Sequence, residues 1–433
     1  MDELFNKAAK LLKDWKRDDY IFGRGVLSRA GSIAAKLGKN ALVICNSAHM
    51  KPAVDALLDS LKNSGVDLAG GRVVPGAAPN SPRVDVYRIE THIMHHRPDM
   101  IAAFGGGSTI DACKAANFLA ALGGVVSPEV DHWFGTGIVS EVLKNSGKKL
   151  IPLIAIQSSA SSGTHLTKYS NVTDPSSGLK KLVVDEAIVP RYSLFDYDLS
   201  STMPVSVTID GVLDGIAHCF EVFSGLAANA PKEKYDLAAA ITETALELAV
   251  RYAPLVVKDP TDMEAREAIG LSTDLGAYAI MVGGTHGPHM TSFSLVNLVG
   301  HGTACGIMNP YYAVLFAPAI ERQLALAGKI LSKYGYIQEN FENLSGRELA
   351  LAFAKGMAAF ARGIGAPTTL KELPNLNDSC VEKILEAAKD PQLEMKLKNM
   401  PVPLGSAEVD EYLGPVIRAA VSGDFSLIKT MTK

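Results

Sequence analysis

A strand that runs into a glycine turn and then into a helix is the feature that most constrains this fold. The apolar run MIAAF (100–104) ends at Gly105, Gly106, Gly107 and Ser108, and a helical pattern, TIDACKAANFLAAL, follows. Consecutive glycines let backbone N–H groups approach a phosphate, and the helix N-terminus adds a partial positive charge. Taken alone, the turn is equally compatible with a purely structural strand-to-helix connection.

Short apolar runs alternate with amphipathic segments through the first 200 residues. ALVIC, LAGGRVV, DMIAAF and KKLIPLIAIQ are predicted strands, while KPAVDALLDSLKNSG and PRVDVYRIETHIMHH are predicted helices. This alternation indicates a parallel sheet covered by helices. LVVDEAIV and YSLFD are predicted to form a hairpin or edge strands. Residues 125–147 are predicted to be an insertion or a long loop.

Beyond residue 200 the apolar residues recur at helical spacing, as in KYDLAAAITETALELAVRYA and SGRELALAFAKGMAAFARGI. Thr261 and Glu264 have the three-residue spacing of a capping box, which would open another helix. A chain of 433 residues is long enough for two cores. We therefore predict an α/β nucleotide-binding domain with a parallel sheet over 1–200 and an all-α domain over 201–433.

Composition excludes several classes of function. A net charge of −4 gives no indication of nucleic acid or an anionic membrane as a partner. The chain has no run of about 18 apolar residues, and its charged beginning does not resemble a signal peptide. Its five scattered cysteines form no CxxC pair, which favours a reducing compartment. These features predict a soluble, cytoplasmic protein.

An acid and several histidines in the helical part have spacings that suit a metal. Asp214 and His218 lie four residues apart, which places them one turn apart on one helix face. His286 and His301 would supply two further ligands. Such a set of imidazoles and one carboxylate suits Fe²⁺ or Zn²⁺, and spacing alone does not choose between them. A lone histidine is more often a core residue, but four such positions in one domain favour a metal site.

The two motifs together resemble the iron-dependent (group III) alcohol dehydrogenase family, which has a dehydroquinate synthase-like fold. The family's phosphate signature, GGGSxxDxxK, is matched in full by GGGSTIDACK. Its metal signature, D-x-x-x-H and two HG segments, is matched by Asp214 and His218, His286-Gly287 and His301-Gly302. The resemblance covers nearly the whole chain and implies catalysis in the cleft between the two domains.

Three departures from the family pattern concern the substrate. A PTTxGTGSE-like stretch at the nicotinamide end is replaced by QSSASSGTHLT (157–167), where His165 stands at a position at which an acid is common. The histidines of HGPH are three apart, where the family more often has four. Residues 125–147 and the tail beyond about 390 have no counterpart that we can assign.

The resemblance implies an NAD(P)-linked alcohol dehydrogenase or aldehyde reductase. The metal would bind the substrate oxygen, and hydride would pass between the carbinol carbon and the nicotinamide. By analogy with the family's second histidine, His289, close to the predicted ligand His286, is the candidate for proton relay or nicotinamide contact. The predicted coenzyme contacts are Asn46, Gly105, Gly106, Gly107, Ser108, Asp111, Lys114, Ser158, Ser159, Ser162 and Lys181.

Coenzyme choice is predicted from Asn46. An acid at the end of the second strand of such a domain binds the adenosine ribose and repels a 2′-phosphate. Here ALVICN places a neutral asparagine at that point, so NADP(H) is expected to serve at least as well as NAD(H). The alternative is that Asn46 caps the helix that begins near Met50.

Other classes stay open at this point. The same fold includes zinc polyol dehydrogenases of the glycerol type and a lyase resembling dehydroquinate synthase, which holds its phosphate-bearing substrate with basic residues. The segment from His286 to His301 contains no Lys or Arg, which argues against an anionic substrate. The glycine turn disfavours a non-enzymatic metal-binding protein. The expected partners are a small alcohol or aldehyde and, by resemblance, a second copy of the chain.

Overall fold

The computed structural model describes residues 3–46, 50–174, 179–226, 230–377 and 379–431. The chain divides into two compact units, one of Lys13–Thr202 and one of Met203–Lys433 together with Met1–Leu12. We propose that the two domains follow this division. Among the helices that the structure describes, none is long and apolar enough to cross a bilayer.

The first unit is built on a parallel sheet of six strands among its described residues, in the order β1-β9-β6-β4-β2-β3. A second, three-stranded sheet has the order β5-β8-β7. The strands are β1 (Tyr20–Gly23), β2 (Asn40–Cys45), β3 (Asp67–Leu68), β4 (Met100–Gly105), β5 (Gly135–Thr136), β6 (Leu153–Gln157), β7 (Tyr169–Asp174), β8 (Leu179–Val184) and β9 (Tyr192–Asp196).

Helices cover both faces of the large sheet because its central strands are apolar on both sides. In β4, Ile101 and Ala103 face one apolar core, and Ala102 and Phe104 face the other. The helices of this unit are α2 (Ala30–Ala34), α3 (Lys51–Asn63), α4 (Arg83–His96), α5 (Gly107–Leu122) and α6 (Ile138–Ser146), whereas most of the N-terminal helix α1 (Glu3–Lys16) belongs to the second unit. The predicted α/β class is confirmed.

Register places the carboxyl ends of three strands side by side. Phe104 pairs with Cys45 of β2 and with Ile156 of β6, and Gly105 pairs with Gln157. Ligands of open parallel sheets bind beyond this edge. The residues that follow β2, β4 and β6 are therefore neighbours although they lie far apart in the sequence.

Three local predictions were wrong. YSLFD forms no hairpin; as β9 it lies between β1 and β6 and pairs parallel to both. Residues 125–147 contain β5 and α6 in addition to loop. LAGGRVV is not a continuous strand, because Gly70 and Gly71 adopt positive φ angles of 72° and 67° and break the extended backbone.

The second unit is helical, as predicted. Its helices are α7 (Val205–Gly225), α8 (Lys232–Lys258), α9 (Met263–Val282), α10 (Gly287–Ser292), α11 (His301–Leu315), α12 (Glu321–Lys333), α13 (Gly346–Gly363), α14 (Ser379–Ala388), α15 (Glu394–Lys398) and α16 (Val409–Ser422). The N-terminal cap of α9 is Asp262, which accepts from the backbone N–H groups of Glu264 and Ala265, and not Thr261 as predicted.

Helix α7 lies at the centre of this unit and packs against α8, α9 and α11. Most of its residues after Gly211 are buried, including polar ones. Glycine allows one close approach, because a Cβ at Gly276 of α9 would lie only 3.1 Å from the Cα of Gly215. The N-terminal helix joins this unit through Phe5, whose ring packs edge-on against Tyr252 of α8.

Candidate active site

Three histidine nitrogens converge on one carboxylate oxygen of Asp214 in the helical unit. Asp214 Oδ1 lies 3.6 Å from His218 Nε2, 3.5 Å from His289 Nε2 and 3.7 Å from His301 Nε2. Ligands held at about 2.1 Å around a tetrahedral metal lie roughly 3.4 Å from one another. The spacing therefore fits a single divalent ion.

Unsatisfied polar atoms at the same place support a metal. Asp214 Oδ1 and His289 Nε2 are buried and have no hydrogen-bond partner among the residues that the structure describes. Buried polar atoms nearly always have one, so these two atoms indicate a partner of another kind. Burial lowers the pKa of His218 to about 4, which favours the neutral imidazole that binds metals. Burial would raise the pKa of Asp214, but the surrounding histidines hold it below its ordinary value.

Of the two histidines of HGPH, the structure places His289 and not His286 beside Asp214. His286 is the N-cap of α10; its Nδ1 accepts from the Gly287 N–H at 2.8 Å, and its Nε2 lies 3.0 Å from Ser224 Oγ. A neutral imidazole that accepts at Nδ1 carries its proton on Nε2, so no lone pair is left for a metal. The structure therefore does not support His286 as a ligand or His289 as a relay outside the ligand set. His289, inside the helix, faces Asp214 instead.

Glu221, which the sequence analysis missed, orients His289. It is fully buried on α7, and its Oε1 lies 2.7 Å from His289 Nδ1. Its Oε2 accepts from the backbone N–H groups of His286 at 2.9 Å and His289 at 3.4 Å. Burial acts to raise the pKa of Glu221, but His289 and His286 together outweigh burial and bring the pKa to about 2. The sequence could have indicated this residue, because the spacing of Glu221 from His218 places both side chains on the same face of α7.

His301 is oriented in the same way by Ser292. Ser292 Oγ donates to the carbonyl of His289 at 2.6 Å and lies 3.0 Å from His301 Nδ1. Because the serine proton is used, Nδ1 of His301 is the donor in the second contact. Its Nε2 is then left with a lone pair towards Asp214.

The glycine after His301 is required by packing. A Cβ at Gly302 would lie 1.9 Å from the backbone oxygen of Asp210 on α7. Asp210 also accepts from the Thr303 N–H at 2.8 Å and from Thr303 Oγ1 at 2.9 Å. Helix α11 is thus tied to α7 at its first turn, which places His301 beside Asp214.

Two further residues near the cluster were not predicted. Cys305 lies one turn beyond His301, and its Sγ is within 4.8 Å of the ligand atoms of Asp214, His289 and His301. Burial raises the pKa of the Cys305 thiol. Lys396, on the short helix α15, is buried and donates to Thr285 Oγ1. The sequence between the histidines indicated no cation here, but the fold brings Lys396 from elsewhere in the chain.

The glycine turn and the serine segment of the first unit lie side by side, at the carboxyl ends of β4 and β6. Gly106 is the N-cap of α5. The Ser158 N–H donates to the Gly105 carbonyl at 3.0 Å. A Cβ at Gly106 would lie 3.1 Å from Ser159 Oγ, and one at Gly107 would lie 2.6 Å from Ser162 Oγ.

The Ser108 hydroxyl accepts from the Asn80 N–H at 3.0 Å. The structure thus brings the predicted diphosphate turn, Gly105 to Ser108, next to the serines predicted for the nicotinamide end, Ser158, Ser159 and Ser162.

Asp111 and Lys114 of the phosphate signature point inward and do not support the predicted coenzyme contacts. Asp111 accepts from Thr164 Oγ1 and, at 3.1 Å, from the Asn171 N–H. Burial lowers the pKa of Lys114 to about 7. Its Nζ donates at 2.7 to 2.8 Å to the main-chain carbonyls of Thr164, Thr167 and Tyr169. These two residues hold the segment that follows the serines.

Lys181 and Asn46 differ in how well they match their predicted roles. Lys181 lies on β8, 3.4 Å from the Asp131 carboxylate, which also forms an ion pair with Arg83 at 2.7 Å. Asn46 follows β2 at the carboxyl edge of the large sheet, and its Nδ2 donates to the Ala77 carbonyl at 2.8 Å. It does not cap α3, whose N-cap is Met50 without a side-chain hydrogen bond.

His165, noted for standing where an acid is common, is a core residue. It is fully buried, and its Nε2 lies 3.3 Å from the hydroxyl of Tyr20. Its ring also packs edge-on against Phe195 of β9. The side chain therefore serves packing within the first unit.

Comparison with known families decides the assignment. Residues 18–197 match the model of the iron-containing alcohol dehydrogenases, and residues 208–411 match that of the C-terminal part of the same family. The chain belongs to the iron-containing alcohol dehydrogenase family. It is an oxidoreductase of this family, so the predicted reaction class, NAD(P)-linked hydride transfer at an alcohol carbon, is confirmed.

Several members of the iron-containing alcohol dehydrogenase family resemble the chain along most of its length. It is 24% identical to the NAD-dependent methanol dehydrogenase of Bacillus methanolicus over 82% of this chain and 87% of that protein. It is 26% identical to the NADPH-dependent butanol dehydrogenase of Clostridium saccharobutylicum over 82% and 84%. The alcohol dehydrogenase structure from Oenococcus oeni superposes with a TM-score of 0.76 at 24% identity, covering 93% of this chain and 97% of the other.

Proposed function

We propose that this alcohol dehydrogenase holds a divalent metal between Asp214, His218, His289 and His301. The observation that carries this proposal is the convergence of three imidazole nitrogens on the unpartnered Oδ1 of Asp214. A bound ion of this kind would act as a Lewis acid that lowers the pKa of an alcohol. Fe²⁺ is the ion that the family name implies, and the same nitrogen and oxygen donors also suit Zn²⁺.

The protein's own contribution is to bind, orient and exclude water. Glu221 and Ser292 fix the ring orientations of His289 and His301, and burial keeps these groups away from solvent. The turn from Gly105 to Ser108 at the start of α5 is proposed to bind the coenzyme diphosphate through backbone N–H groups. Hydride transfer itself belongs to the nicotinamide coenzyme.

We propose that the enzyme uses NADP(H) at least as readily as NAD(H). Asn46 follows β2 at the edge of the sheet where the ribose of a bound dinucleotide lies, and it carries no negative charge that would repel a 2′-phosphate. Relatives are named for both coenzymes, NAD in one case and NADPH in another. We also propose that the protein forms a homo-oligomer, which sedimentation of the purified protein tests. We propose a cytoplasmic location, which fractionation of cells tests.

The proposed substrates are small primary alcohols and the corresponding aldehydes. Relatives named for methanol, butanol and 1,3-propanediol support this range. The test is a spectrophotometric assay of metal-free protein reloaded anaerobically with Fe²⁺, Zn²⁺ or Mg²⁺, with both coenzymes and a panel of alcohols and aldehydes. Turnover that depends on Fe²⁺ or Zn²⁺ supports the proposal. Full activity of the metal-free protein would refute it.

A further inference from the structure

We propose that Lys396 recognises a negatively charged group of the substrate, so that the preferred substrates are short alcohols or aldehydes that carry a carboxylate. This inference rests on the proposed function and names its substrate class. It concerns a residue from the tail that no motif of the chain includes.

The first observation is that Lys396 is buried and forms no ion pair with any residue that the structure describes. Its side chain is 4% exposed, and its ammonium donates to Thr285 Oγ1. Among the described residues, no carboxylate lies within ion-pair distance of its Nζ. Burial lowers the pKa of Lys396 to about 8, although the charge of Glu221, which lies beyond ion-pair distance, acts in the opposite direction. An ammonium has three N–H donors, and a buried charge that is not paired is unfavourable. Donors therefore remain for an anionic ligand.

The second observation is the position of this ammonium next to the histidine cluster. Thr285, which accepts its hydrogen bond, directly precedes His286 in the chain. Lys396 Nζ lies 5.7 Å from the centroid of the Phe293 ring, and that ring stacks on His301 with centroids 5.9 Å apart. The ammonium therefore lies beside residues that adjoin His286 and His301, where it would meet the negatively charged end of a substrate bound at the cluster.

Glu221 does not explain the buried lysine as a simple ion pair. Both of its oxygens already accept hydrogen bonds, from His289 Nδ1 and from the N–H groups of His286 and His289. A lysine that only supported the fold would, in addition, be needed equally for every substrate. Kinetics with charged and neutral substrates therefore distinguish a lysine that supports the fold from one that binds the charged group of the substrate.

Helix α15 offers a matched control. Lys398 lies two residues beyond Lys396, but its side chain is 65% exposed and forms an ion pair with Glu394 at 2.8 Å. Lys398→Met removes one positive charge from the same helix without touching the buried site. It is expected to leave all substrates unaffected.

The experiment compares ω-oxo carboxylates, from glyoxylate to succinate semialdehyde, with their neutral primary amides. We expect the wild-type enzyme to prefer at least one carboxylate over its amide, and Lys396→Met to lower kcat/KM for that carboxylate by roughly 10- to 100-fold while leaving the amide nearly unchanged. Lys396→Arg is expected to restore part of the preference. Calorimetric binding of succinate to the metal-loaded enzyme should disappear in Lys396→Met.

The outcomes separate this inference from the proposed function. Wild-type turnover of amides and simple aldehydes without any preference for carboxylates would overturn the role of Lys396 and leave the proposed function standing. Equal losses on both substrate types in a folded Lys396→Met variant would also overturn it. If that variant does not fold, the wild-type preference and the Lys396→Arg variant decide the question. Turnover of no alcohol or aldehyde at all would defeat the proposed function itself.

Discussion

His289 Nδ1 lies 2.7 Å from Glu221 Oε1, and this contact decides which histidine of HGPH faces Asp214. The carboxylate accepts a hydrogen bond from the Nδ1–H group of His289, which leaves the Nε2 lone pair directed at Asp214. Carboxylates behind metal-binding histidines act in this way, fixing both the tautomer and the ring orientation. The other oxygen of Glu221 accepts from the His286 N–H and so also holds the start of α10.

Replacing His286 and His289 one at a time tests which of them is a metal ligand. His289→Ala should abolish stoichiometric iron or zinc in the purified protein, whereas His286→Ala should retain it, because both ring nitrogens of His286 are engaged by Gly287 and Ser224. Elemental analysis by mass spectrometry measures both. Metal lost from His286→Ala and kept by His289→Ala would restore the assignment predicted from sequence.

Glu221→Gln should weaken metal binding without preventing folding. The amide preserves the size of the side chain but removes the charge that holds the His289 Nδ1 proton, and loss of such a partner costs about 10- to 100-fold in metal affinity. Competition with a chelator measures the change. Glu243→Gln, a half-exposed residue of α8 that pairs with Lys7, is the control. Equal affinity in both variants would argue against this role.

Gly302→Ala should disturb the site through the backbone. Its Cβ would lie 1.9 Å from the Asp210 carbonyl oxygen, so α11 must move away from α7 and carry His301 with it. We expect a lower melting temperature and reduced metal content. In the control, Gly363→Ala on α13, the new Cβ meets only the ring of Tyr336 at 3.7 Å. A Gly302→Ala protein with wild-type stability and metal content would contradict the close packing described.

Gly106→Val should raise the KM for the coenzyme at least about tenfold and leave the metal content unchanged. A Cβ at this position already approaches Ser159 Oγ to 3.1 Å, and a branched side chain would occupy the space where a diphosphate meets the turn. Steady-state kinetics and coenzyme fluorescence titration check this. The control is Gly124→Val, because a Cβ at Gly124 would have no atom of the described residues within 4 Å. Unchanged coenzyme affinity in folded Gly106→Val would remove the turn from the site.

Asn46→Asp should shift the ratio of kcat/KM values towards NAD(H) by about tenfold or more. A carboxylate at this place would accept from the ribose hydroxyls of NAD(H) and repel the 2′-phosphate of NADP(H). Kinetics with both coenzymes at fixed ionic strength give the ratio. Complete rejection of NADP(H) by the wild-type protein would contradict the prediction, as would an unaltered ratio in the variant.

Local patterns were sufficient wherever one element alone carried the information. The apolar runs at β2 and β4 and the glycine turn before α5 were recognised because each depends on neighbours within a few residues. The pair of Asp214 and His218 was found for the same reason, since spacing within a helix fixes the relative direction of two side chains. The fold class and the family followed from these segments.

Tertiary structure alone decided the orientation of the site. Periodicity does not show that the cap of α10 turns His286 towards Ser224, or that Asp111 and Lys114 point into the core. Lys396 is the extreme case, because it meets Thr285 across 111 residues of sequence. Within one element, regular backbone geometry determines where a side chain points. Between elements, only packing determines it, and packing depends on the whole chain at once.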